Sequence, residues 1–148
     1  MSFKQKVENN SHISACYQSG LQAMGSYSNK VRAQDTRRLN GSVFLEECLQ
    51  DAKPGESLWD YMVSYGSSVY FIEVHPASSG NVNEMIKKLR WLQIWLKNKA
   101  TEFLEMKSNN KPYRWVSTNG VHITKGSRQA RKLASSGLSF PEKVIRLP

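Results

Sequence analysis

Two carboxylates and an imidazole, Asp60, Glu73 and His75, are spaced so that a β-hairpin would bring them onto one surface. The stretch Leu58–Pro76 holds two β-rich runs on either side of Gly66-Ser67, and glycine at the first central position suits a two-residue type II′ turn. Such a turn pairs Tyr65 with Ser68 and sets Asp60 directly opposite Glu73; a looser loop closing on Ser64 and Val69 keeps the same register. Side chains alternate along a strand, so Glu73 and His75 share a face and Asp60 joins it. Like charges directly opposite each other destabilise a sheet. A divalent cation, a shared proton or a basic partner would offset the repulsion. Carboxylates gripping a cation beside an imidazole suit hydrolysis of a phosphate ester. The alternative arrangement is a solvated polar face whose carboxylates are merely exposed.

Several elements must hold these groups in place. Gly41-Ser42 opens an expected helix, with Ser42 as its N-cap, that runs to about Ala52 and stops at Lys53-Pro54-Gly55. Leu45, Cys48, Leu49 and Ala52 form its apolar stripe, and Glu46 beside that stripe leans toward a neighbouring site. Phe71–His75 reads as an interior strand with a charge embedded, ended by Pro76. A long helix is predicted from about Val82 to Met106, opened by an Asn81/Glu84 capping box. From its first half, Lys87 or Lys88 can reach back to the hairpin, while its tryptophans read as core. Tyr113–Thr118 and Val121–Thr124 flank Asn119-Gly120, a hairpin signal, and His122 there has no ligand partner at metal spacing. Ser127 caps a short helix through Ser135, stopped by Gly137. Arg128, Arg131 and Lys132 make one basic face of that helix. With Lys125 and the amides of Gly126-Ser127 they form a candidate phosphate cradle, and the best nucleic-acid contact in the chain. Lys143–Leu147 is expected as a last edge strand.

Charge is unevenly distributed. Residues 1–40 carry +4, residues 41–106 carry −3 and residues 107–148 carry +8, for a net +9 over 148 residues. An acidic middle between basic ends suits an enzyme of the phosphate backbone. The first forty residues, interrupted by Gly20, Gly25, Ser26 and Ser28, are expected as a loosely structured basic arm with one short helix, leaving residues 41–148 as a single domain. No apolar run approaches the roughly 20 residues of a membrane span. Residues 1–10 lack the apolar stretch of a signal peptide, and Cys16 and Cys48, lacking metal-ligand spacing, read as reduced thiols of a cytoplasmic protein, with Cys48 in an apolar pattern.

The order helix, strand, strand, helix, strand (α-β-β-α-β), with an acidic pair on the hairpin, resembles the PD-(D/E)XK nuclease superfamily, whose restriction-endonuclease-like core is an α/β (α+β) fold. Asp60 matches that family's first acid, and Glu73-Val74-His75 matches its second element after a gap of twelve residues. Glu46 fits the acidic residue frequent on the family's preceding helix. The resemblance covers about residues 41–118. It implies a metal-dependent nucleic-acid phosphodiesterase with Mg²⁺ or Mn²⁺ held by Asp60, Glu73 and Glu46, with nucleic acid as partner and a homodimer or a larger complex as its assembly. Trp59 stands where the family has Pro, and His75 where it has Lys. His75, or Lys87 or Lys88 from the next helix, would then orient the attacking water. A degenerate member would instead be a non-catalytic nucleic-acid- or protein-binding module of the same fold. The runs Gly20–Met24 and Glu73–Ala77 also resemble a family of small bacterial proteins of unknown activity, a likeness that supplies no function.

Overall fold

The computed structural model describes residues 1–148. In chain order its elements are α1 (Phe3–Asn9), β1 (Val31–Ala33), β2 (Leu39–Phe44), α2 (Leu45–Leu49), β3 (Tyr61–Tyr65), β4 (Ser68–Ser78), α3 (Val82–Lys99), α4 (Thr101–Glu105), β5 (Tyr113–His122), α5 (Arg128–Ser136) and β6 (Ile145–Leu147). Strands β2, β3, β4 and β5 form a mixed sheet in that order: β2, β3 and β4 run antiparallel, and α3 carries the chain across to β5, parallel to β4. A parallel neighbour requires such a crossover. Strands β1 and β6 pair in a separate parallel sheet.

The hairpin has the register expected from its turn. Tyr65 pairs with Ser68 and Tyr61 with Ile72. Gly66 takes φ +61° and Ser67 keeps a negative φ, as a type II′ turn requires. Alternate residues of β3 and β4 serve two cores. Met62, Val69 and Phe71 pack toward Met85, Leu89, Leu92 and Leu96 of α3. Tyr61, Val63, Tyr70 and Ile72 pack on the reverse face toward Val31, Ile145 and Leu147. Burial on both faces explains why Val69–Ile72 is continuously apolar.

Several expectations need correction. The helix expected from Ser42 to Ala52 is instead β2 followed by the short α2, and Ser42 lies in the strand. Its hydroxyl accepts the Ala23 N–H at 3.1 Å, so it anchors a segment outside the sheet and caps nothing in α2. The long helix breaks at Ala100 (φ −154°), where the Asn10 carboxamide donates to the Lys99 carbonyl at 3.0 Å and relieves the C-terminal end of α3. Asn81 does not cap α3; its side-chain oxygen accepts from the Ser78 N–H and hydroxyl one turn earlier. Pro76 does not end β4 but sits at a register shift between His75 and Ala77, where a missing donor costs no ladder bond. Asn119-Gly120 makes no hairpin. It bulges from β5, which resumes pairing with β4 through Ala77–Val121 and Ser78–His122.

The first forty residues are not a loose arm. Phe3, Val7 and Ile13 enter the main core, and Val31 enters the second. Nor are the thiols free: Cys16 and Cys48 are joined in a disulfide with Cα atoms 6.1 Å apart, tying the N-terminal segment to α2. Helix α5 forms as expected. Ser127 accepts the Ala130 N–H at 3.1 Å, and Gly137 closes the helix in the left-handed region at φ +91°. No helix is long and apolar enough to cross a membrane.

Candidate functional site

Glu73 lies fully buried on β4, on the face covered by α3. Its Oε1 accepts the Asp60 backbone N–H at 3.0 Å, while Oδ2 of Asp60 accepts the Val74 N–H at 3.0 Å. Each carboxylate therefore takes a main-chain donor from the opposite strand, just where β3 begins. These two bonds stand in for ladder bonds and let opposed acids sit together. The Asp60 carbonyl accepts the Leu45 N–H at 2.7 Å, which fixes α2 against the hairpin. That places the Glu46 carboxyl within hydrogen-bonding reach of Asp60.

The basic partner comes from α3. Lys88 Nζ donates to Glu73 Oε2 at 2.6 Å, with the lysine side chain 15% exposed and the glutamate 0%. One turn earlier on the same helix face, Glu84 Oε2 lies 3.2 Å from His75 Nε2. The carboxylate only accepts, so Nε2 of a neutral His75 carries the proton and Nδ1 is the acceptor. Two bonded pairs, His75–Glu84 and Lys88–Glu73, thus lie side by side between β4 and α3, and the second continues to Asp60 and Glu46. A cleft of about 350 Å³ opens onto it, lined by Glu46, Gln50, Glu84 and Lys88 among others.

Ionisation follows from this packing. Burial, then the charge of Glu73, then the Glu46 contact push Asp60 far above the usual carboxylate range, against the pull of the Val74 N–H and Lys88. Burial raises Glu73 to about 7, held back by Lys88 and by the Asp60 N–H. For Lys88, burial opposes the charge, but attraction to Glu73 outweighs it and the group is raised. His75 is lowered by burial and by Lys88, against the opposing pull of Glu84. At neutral pH the cluster therefore holds the Lys88 ammonium, a neutral His75 imidazole, an Asp60 that retains its proton and a Glu73 poised between its two forms. No three His, Cys, Asp or Glu side chains gather closely enough to form a ready metal cage.

Asp60, Glu73 and Glu46 thus come together as a linked set, and His75, on the same face of β4, is bonded to Glu84 and to none of the three. Of the two candidate lysines, Lys88 reaches the carboxylates, while Lys87 lines a shallow cleft with Arg90 and Lys132. Glu84 was not anticipated as a site residue; its spacing of four from Lys88 was the available signal. The basic residues of α5 lie apart from the carboxylates. Arg131 Nη1 donates to the Gly126 carbonyl at 2.6 Å and Lys132 Nζ to Asn83 Oδ1 at 2.5 Å. The Ser127 N–H is bonded to the Thr124 carbonyl at 3.2 Å, so this amide is not free for the expected cradle, whereas Lys125 and Arg128 are exposed. His122 is exposed, its ring 3.1 Å from the Asn119 carbonyl.

No protein-family model, no curated protein and no solved structure matches this chain.

Proposed function

We propose that the protein is a divalent-metal-dependent phosphodiesterase acting on nucleic acid, with a restriction-endonuclease-like arrangement of its central elements. The observation that carries this reading is the contact of Lys88 with buried Glu73 at 2.6 Å, beside Asp60 and Glu46. It supplies from the following helix the ammonium that His75 replaces in the sequence pattern. The antiparallel run β2–β3–β4 with α3 crossing to parallel β5 is in keeping with such a core.

The donor set fits a small hard cation. Asp60 and Glu46 are close enough to share a proton, and a cation would relieve the same repulsion. Mg²⁺ is commonly held through one or two carboxylates, with water and substrate phosphate completing its shell, so a ready cage of three side chains is not needed. Asp60 and Glu46 would hold it. Glu73, the third expected ligand, has both oxygens engaged and instead anchors Lys88. Bound there, such an ion would stabilise negative charge developing on a phosphoryl oxygen. Lys88 orients a water or a phosphate oxygen at the cleft, and neutral His75 offers Nδ1 as a proton acceptor. The exposed cations of α5 engage the phosphate backbone.

One observation favours a second reading, a binding module with a degenerate site: Lys88 already neutralises Glu73. Cleavage assays on single- and double-stranded DNA and RNA, with Mg²⁺, Mn²⁺ or chelator, separate the two. The enzyme reading expects metal-dependent cleavage that falls by roughly 10²-fold or more in Asp60→Asn and in Lys88→Arg, with the fold retained by circular dichroism. Salt-dependent binding by the wild type with no cleavage of any polymer overturns it in favour of the module.

A further inference from the structure

On the sheet face opposite the carboxylates lies a cleft of about 470 Å³, within the roughly 300–1,000 Å³ usual for small-ligand sites. Arg32, Lys111, Arg114 and Arg146 line it, with Tyr70 and Asn110. They come from four separate segments: β1, the loop before β5, β5 and β6.

Three features point to an anion. Arg32 and Arg146 are direct register partners across the β1–β6 pair, and both are exposed. Apposed like charges destabilise a sheet, and a guanidinium cannot relieve this by losing its proton. Arg114 is only 7% exposed; one Nη2 bond of 3.2 Å reaches Glu142, and its buried Nε has no hydrogen-bond partner. A buried charged donor left unmatched is costly, and native proteins rarely tolerate it without a missing ligand or water. Lys111, at the rim, is the single non-glycine residue with positive φ, at +48°. Such strain concentrates at ligand sites. Glu142 is the one acidic side chain bonded to this group, and Arg32, Lys111 and Arg146 make no ion pair.

We propose that this cleft binds a phosphomonoester, with Arg114 as the fixed donor at its floor and Arg32 and Arg146 as a paired outer grip. Forked guanidinium donors match phosphate oxygens two at a time, and three of them answer a dianion better than a single negative charge. The group belongs either to a free phosphorylated small molecule or to the end of a nucleic-acid strand. The site stands independently of the phosphodiesterase reading.

The test measures thermal melting of the full chain in inorganic phosphate against chloride at matched ionic strength. A saturable rise in Tm is expected for the wild type and for Asp60→Asn, with apparent phosphate affinity weakened about tenfold or more in Arg32→Gln and in Arg146→Gln. These two residues are exposed, so the variants keep their fold. No saturable rise in the wild type, or an unchanged response in both arginine variants, overturns the site. Titration with a 5′-phosphorylated oligonucleotide and its unphosphorylated twin assigns the source. Preference for the phosphorylated strand, lost in the arginine variants, supports a strand end. Equal binding of both strands, with the inorganic phosphate response intact, supports a free phosphorylated molecule.

Discussion

The two faces of the central sheet meet one electrostatic problem with different chemistry. On the α3 face, Glu46, Asp60 and Glu73 crowd together, and the chain answers from within, by retained protons and by Lys88. On the reverse face, Arg32, Lys111, Arg114 and Arg146 crowd together, and Arg114 alone is paired to an acidic side chain, Glu142. A carboxylate can take up a proton at modest cost near neutral pH, whereas an arginine stays charged. The acidic cluster is therefore self-contained and sensitive to pH. The basic cluster is insensitive to pH and open to an external anion.

The largest effect should come from breaking the internal answer. Lys88→Met leaves Glu73 buried without its partner, and loss of one member of a buried pair costs about 3–5 kcal/mol. Urea unfolding at about pH 8 should show that loss, and the loss should shrink below about pH 6 as Glu73, raised to about 7, takes a proton. The double variant Glu73→Gln/Lys88→Met should recover most of it. A loss equal at both pH values, with no recovery in the double variant, would mean the lysine acts by packing alone and would break the comparison.

Next comes the tether beneath Glu46. Cys16 and Cys48 close a loop of sequence separation 32, for which chain entropy gives about 3–4 kcal/mol. Cys16→Ser/Cys48→Ser, or the wild type in reductant, should lose that much. Hydrogen exchange should show the loosening around α2 on the acidic side before it reaches β6. Uniform loss across both faces would argue that the bond supports the whole fold and not the acidic cluster.

A smaller effect separates the faces by pH. Asp60 is raised in the folded state, so between the usual carboxylate range and its folded value the unfolded chain binds fewer protons. Its contribution to stability is full at low pH and falls as pH rises through that window. Asp60→Asn removes the fall. For each pH unit inside that window, as from about pH 5 to about pH 6, the wild type should lose about 1.4 kcal/mol more than the variant. Parallel curves would show that Asp60 ionises freely and that no proton bridges it to Glu46.

The sequence was legible where a short-range rule had no rival. Gly66-Ser67 dictated the hairpin register, and with it the meeting of Asp60 and Glu73. Ser127 and Gly137 bounded α5 because both ends of a helix satisfy their own backbone groups locally. It was illegible where distant partners decided. Gly41-Ser42 carries helix-start chemistry, yet Ser42 spends its hydroxyl on Ala23 and its backbone on the sheet. Asn119-Gly120 is a strong turn signal, but β4 offers the flanking residues a parallel partner, so the pair becomes a bulge. The choice of Lys88 over Lys87 depends on how α3 lies across the sheet, which periodicity does not report. Arg114 left one faint sign, a lone cation in the apolar run Tyr113–Val116.

The smallest effect is the sharpest on the basic side. Arg32 and Arg146 face each other in register on solvent-exposed positions, and cross-strand pairs of this kind are worth roughly 0.2–1 kcal/mol. Arg146→Gln removes one charge of the pair and should therefore raise stability by an amount in that range at low ionic strength. A guanidinium keeps its charge in this range, so the gain should be the same at acid and neutral pH, unlike anything expected of Asp60. Because the repulsion is exposed, added salt should erode the gain by screening. Inorganic phosphate should reverse it, since the wild type then acquires a ligand that the variant holds poorly. Melting curves of the two proteins across pH, chloride and phosphate read all three dependences. A loss of stability in Arg146→Gln at low salt would mean that the paired arginines are already neutralised by the chain itself, and the two faces would then differ in sign but not in kind.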